Sequence, residues 1–247
     1  MSSISRTTAA IAGLFFCGAA AAQSTPGACS PVLLDNGTFV SSPNGGAGGA
    51  PVSLVTAPDS LLGAGAGDAN FLSVAEDFTV PAAGWNVSQL TLYTYQTGST
   101  TTSTITGVPR LVLWNGVPGG GGTVLAGPVA ATLVNTSWSG VYRASSTTPT
   151  NNTRPIMQVT VQWPASFPTP LAAGTYWLEW NFAGSLASGP WSPPRNADAS
   201  DNGRQNNFSA GDSWTAMLDT GSSRAIGFPL VVCGGTAPVS LQQFEID

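Results

Sequence analysis

Apolar residues in this chain recur with a period of two, and outside the first 22 positions no ten-residue window carries a period near 3.6. Over Pro155–Trp163, Met157, Val159, Val161 and Trp163 alternate with Ile156, Gln158, Thr160 and Gln162. Over Gly174–Phe182, Tyr176, Leu178, Trp180 and Phe182 alternate with Thr175, Trp177, Glu179 and Asn181. Successive side chains of an extended strand point to opposite faces, so each set lines one face. Shorter runs of the same kind meet Gly or Pro: Glu76–Val80 before Pro81, Arg110–Trp114 before Asn115-Gly116, and Ala225–Cys233 across Pro229. Such a chain predicts an all-β fold, a single antiparallel β-sandwich with jelly-roll topology and long Gly/Ser/Thr/Asn-rich loops. Trp85 and Val87 are out of phase with Leu90 and Leu92, which predicts a bulge between them, with Tyr93 and Tyr95 on the opposite face.

The 247 residues divide into four parts. Residues 1–22 read as a secretory signal peptide: Arg6 in the n-region, an apolar Ala9–Cys17, and Ala20-Ala21-Ala22 before Gln23 as the cleavage site. Residues 23–70, rich in Gly and Pro, are expected to be a mobile segment with short strands; 71–235 form the sandwich, and 236–247 a tail. No later run is long and apolar enough for a helical membrane span. Cys17 departs with the leader. In an oxidising compartment Cys29 and Cys233 are expected to form one disulfide joining the two ends; two free thiols are the other arrangement open to them.

Charge restricts the chemistry. All 7 basic residues are Arg, 12 are acidic, and the net charge is −5. Charged residues make up 8%, against about 25% in an average globular protein. No basic patch exists to neutralise phosphates, so nucleic acid is not an expected partner. Without His, a Ser-His-Asp triad and an ordinary catalytic zinc site are unavailable. Without Lys, so are Schiff-base chemistry and a Walker-type phosphate loop.

Ala75-Glu76-Asp77-Phe78-Thr79-Val80, Leu113-Trp114-Asn115-Gly116-Val117-Pro118-Gly119, Arg154-Pro155-Ile156-Met157, Gly174-Thr175-Tyr176-Trp177-Leu178 and Ser188-Gly189-Pro190-Trp191 follow one another in order. The series resembles a module of secreted bacterial proteins of unknown function, over roughly Asn70 to Gly234. The resemblance implies an extracytoplasmic all-β domain and brings no catalytic residues with it.

Three constellations could carry chemistry. Trp177, Glu179 and Asn181 share a strand face, as do Arg110 and Trp114 on another strand; Tyr93, Tyr95 and Trp191 could join them. Flat rings beside planar hydrogen-bonding groups suit sugars, so these are the candidate contact residues for glycans or extracellular matrix. The alternative is that loops such as Pro190–Gly211 cover this face as a second small core, with Glu179 paired to Arg110, Arg143 or Arg154, since an unpaired buried carboxylate is costly. The second constellation is a glycosidase-like carboxylate pair, Glu179 with Glu76 or Asp77. The third is calcium on the oxygen-rich stretch Asp198, Asp201, Asn202, Asn206, Asn207 and Asp212, although no Glu closes an EF-hand pattern there. The expected role is a non-catalytic secreted binding module without a cofactor. A carbohydrate-active hydrolase and a structural matrix or adhesion component are the alternatives.

Overall fold

The computed structural model describes residues 28–237. The predicted signal segment 1–22 and nearly all of the predicted tail lie outside them. The strands are β1 (Val32–Asp35), β2 (Val52–Val55), β3 (Ala64–Gly65), β4 (Leu72–Val80), β5 (Trp85–Thr94), β6 (Ile105–Asn115), β7 (Thr123–Ala131), β8 (Leu133–Ser145), β9 (Pro155–Gln162), β10 (Gly174–Gly184), β11 (Trp191–Ser192), β12 (Arg204–Asn207), β13 (Ser213–Ala216) and β14 (Leu230–Thr236). Three single-turn 3-10 helices, Ala47–Gly49, Asp68–Asn70 and Phe208–Ala210, interrupt the loops.

Two six-stranded sheets carry the fold, in the orders β1-β14-β5-β9-β8-β2 and β13-β12-β4-β10-β6-β7. The antiparallel pairs are nested: β6·β7 innermost, then β5·β9, then β4·β10, then β1·β14. The chain is therefore one long hairpin rolled up so that alternate pairs fall into alternate sheets. Pairs β14·β5 and β10·β6 then close each sheet. This is jelly-roll topology. β8 and β2 widen the first sheet, with β2 parallel to β8, and the β12–β13 hairpin widens the second.

The core lies between the sheets and comes from the alternating faces. Leu90, Leu92, Val159, Val161 and Val232 meet Val74, Phe78, Leu111, Leu178, Trp180 and Phe182. Register slips between Cys233 and Gly234 opposite Gln89 and Val87, leaving Ser88 with no register partner on β14, so the bulge in β5 sits where the phase change placed it.

The N-terminal part departs from expectation. From Cys29 onward it belongs to the sandwich rather than forming a mobile lead-in. β1 pairs with β14, β2 lies along β8, and Phe39 and Val40 pack on Tyr93, Tyr95, Val141 and Ile156 as a second small core outside the first sheet. The disulfide Cys29–Cys233 fastens this layer. Glycine density concealed apolar residues that have a face to cover. The sandwich unit thus begins well before position 71.

Candidate functional site

The five predicted contact residues do come together on the outer face of the second sheet. β10 sets Trp177 opposite Trp114, and Asn181 opposite Arg110. Glu179 accepts hydrogen bonds from Arg110 Nε at 2.9 Å, Ser73 Oγ at 2.7 Å and Trp114 Nε1 at 2.9 Å. Asn181 Nδ2 donates to Asp68. The face is nevertheless closed. Phe208 lies over the Arg110 guanidinium, 4.6 Å from ring centroid to Cζ, and the Trp214 ring meets Trp114 edge-on at 5.7 Å. Trp177 is 4% exposed, and Glu179 and Asn181 are fully buried. The expectation of an open platform at these residues is corrected: this is the covered arrangement, with Arg110 as the partner of Glu179 and Phe208 from the 190–211 loop as part of the cover.

The carboxylate pair is also corrected. Glu76 sits opposite Leu178 on β10, whereas Glu179 sits opposite Ala75. Leu178 faces the core and Glu179 the outer side, so the two carboxylates project from opposite faces of the sheet. Asp77 shares Glu179's face but pairs with Trp177. Both Glu179 oxygens already accept from protein donors.

Glu76 belongs instead to an ionic joint. Buried to 1% exposure, it accepts from the Phe228 N–H at 2.9 Å and Asn36 Nδ2 at 3.3 Å, with Arg195 Nη2 at 3.8 Å. Burial pushes its carboxyl up to about 8 against those donors. Arg195 Nε lies 2.8 Å from Asp201 Oδ1, an ionic contact not aligned as a hydrogen bond, and Arg224 bridges Asp201 and Asp59. A Cβ on Gly227 would stand 2.6 Å from Arg195 Nε and 2.8 Å from Glu76 Oε1, so only glycine lets this backbone pass. Burial alone would raise Asp219, but the N–H groups of Ser222, Leu61, Gly221 and Ser60 hold its carboxyl down at about 2. A cavity of about 140 Å³ lies against this joint, yet the charged groups in its wall are already taken up by one another or by backbone.

The calcium loop is not assembled either. Asp198 accepts from Ser200, Asp201 is held by arginines, and Asp212 accepts from Asn206, so the oxygens turn to different partners. Asn202 and Asn207 join no common centre with them; Asn207 accepts from Ser209. Among the described residues, no group of three or more His, Cys, Asp or Glu side chains is placed to hold a metal ion.

A different recess has unused chemistry. It encloses about 200 Å³ and is lined by Leu62, Gly63, Tyr95, Thr97, Arg154, Ser188 and Trp191. Tyr95 continues β5, and Trp191 of β11 pairs with it through two backbone hydrogen bonds of 3.0 and 2.9 Å. Arg143, buried in β8, donates to the carbonyls of Leu61 and Leu62 and so fixes the opposite wall. Gly63 leaves the floor open: a Cβ there would come within 2.7 Å of the Tyr95 hydroxyl. The Trp191 ring is half-buried and its Nε1 points to Ser188 Oγ at 3.4 Å. Burial pushes the Tyr95 hydroxyl up to about 12, although Arg143 and Arg154 act to lower it. Arg154 is half-buried, and among the described residues it forms no ion pair.

Tyr95 and Trp191 are aromatic candidates on the sequence alone, whereas Arg154 is legible there only as a partner for Glu179. The fold and this recess together define a jelly-roll β-sandwich with a small aromatic, arginine-bearing pocket at one end. Comparison with protein-family models, curated proteins and solved structures finds no match to this chain.

Proposed function

We propose that the chain is a secreted bacterial, non-catalytic β-sandwich module that binds glycan in the recess beside Trp191. The carrying observation is the half-buried Trp191 ring set beside hydroxyls of Tyr95, Thr97 and Ser188 in an open recess. A flat ring covers the C–H face of a sugar while hydroxyl and guanidinium groups reach its polar rim. The volume is below the roughly 300–1,000 Å³ of drug-sized sites, which suits one ring at a chain end rather than a long segment. Export is supported by the leader-like residues 1–22 and by a disulfide of the kind that persists in oxidising compartments. The exported protein should begin at Gln23 on N-terminal sequencing.

A glycan array followed by titration tests the binding. Trp191→Ala is expected to weaken the bound glycan at least about tenfold, a loss of about 1.4 kcal/mol. Gly63→Val, whose Cβ would stand 2.7 Å from the Tyr95 hydroxyl, should also weaken binding, but with a lowered unfolding temperature. A protein that binds no glycan, or a Trp191→Ala variant that binds as well, refutes the reading.

A further inference from the structure

We infer that the recess selects a sugar bearing a carboxylate, with Arg154 taking the carboxylate and Trp191 covering the ring. This rests on the glycan-binding reading and narrows its ligand class. The chain has a net charge of −5, so positive potential is not its general condition. The recess is an exception, since none of its lining residues is acidic and one is an arginine. Arg110, Arg195 and Arg224 are each committed to carboxylates, whereas Arg154 has none among the described residues.

A second guanidinium reinforces the sign. Arg143 lies behind the wall at 5% exposure and donates to neutral oxygens only, Leu61 O, Leu62 O and Ser53 Oγ. Asp59, Asp219 and, with opposite sign, Arg224 also act on it electrostatically. A planar guanidinium that is only partly hydrated matches a carboxylate through two parallel N–H···O bonds, and a hydroxyl-only sugar cannot supply that geometry. The Tyr95 hydroxyl, on a residue only 2% exposed, stays protonated at neutral pH. A uronic acid residue presents a carboxylate next to an apolar ring face, the same pairing of features that Arg154 and Trp191 offer.

Trigalacturonate, triglucuronate and oligomannuronate, each beside its fully methyl-esterified form, are the probes. Esterification keeps the ring and removes the charge. At least one acid form should bind at least about tenfold tighter than its ester, the size of one charge-assisted hydrogen-bonded contact. Arg154→Gln should erase that difference by weakening the acid far more than the ester, with the unfolding temperature unchanged; Arg154→Lys should restore part of it. Raising salt should weaken the acid and not the ester. Neutral glycans or esters bound as tightly as acids, with binding still lost in Trp191→Ala, would overturn the carboxylate inference and leave the glycan reading standing. Acid binding that survives Arg154→Gln would also overturn it. Absence of binding to every acidic and neutral glycan would overturn both.

Discussion

Glu179 shows what a single carboxylate does when a sheet face closes over it. Its charge has left water, and the three donors from Ser73, Arg110 and Trp114 replace that hydration. Removing the acceptor strands those donors beneath Phe208 and Trp214, so Glu179→Ala should cost about 3–5 kcal/mol of stability, the range for breaking one side of a buried ion pair. Arg110 is 26% exposed and can recover some hydration, which places the expected loss toward the lower end. Urea denaturation of the variant checks this; a shift under about 0.5 kcal/mol, typical of a surface change, would contradict the burial. The sequence foretold the choice at this residue, open surface or paired interior, but not its outcome. Phe208 and Trp214 lie some thirty positions away in a polar stretch with no alternation.

Strands were legible where both faces had contrasting partners. β9, β10 and the bulged β5 follow directly from the alternation of Met157–Trp163, Tyr176–Phe182 and Trp85–Leu92. β12 was not legible, because Arg204-Gln205-Asn206-Asn207 has no apolar face; its strand character comes from pairing with Leu72–Ala75. β3 and β11 are two residues each and pair with one another, β11 being bridged besides to Tyr95 past the end of β5. The recess was hidden for the same reason, since Tyr95, Arg154 and Trp191 meet only after distant strand ends are paired. The segment before β2 tests how far glycine content misleads. Phe39 is fully buried, with its ring centroid 4.8 Å from that of Tyr93. Phe39→Ala should therefore cost about 3–5 kcal/mol, as for other buried aromatic truncations. The amides of Ser41, Ser42 and Val52, which bond across to one another's segments, should exchange slowly with solvent in the parent protein. Fast exchange there, with an unchanged denaturation midpoint in the variant, would return the segment to a loosely attached lead-in.

For the whole molecule, the ionic joint sets a pH profile. Glu76 is raised from 4.5 to about 8, so the folded state holds its proton more tightly than the unfolded chain. The stability tied to that proton is complete below 4.5 and is lost as pH rises through about 8. Asp219 runs the other way: lowered from 3.8 to about 2, its contribution is present above 3.8 and lost as pH falls toward 2. Thermal stability should peak between about pH 4 and 5 and decline toward pH 8. Glu76→Gln should flatten the decline on the alkaline side and leave the acid limb in place. A parent profile level from pH 4.5 to 8 would refute the assignment. The rolled hairpin has one more consequence. Ala237 bonds to Gly84 at the start of β5, while Tyr95 stands just past its other end. At about 3.3 Å per residue, ten residues of strand put the two about 30 Å apart. A protein coupled to a bead or sensor chip through a residue beside Ala237 would hold the recess beside Trp191 outward, at the far end of β5.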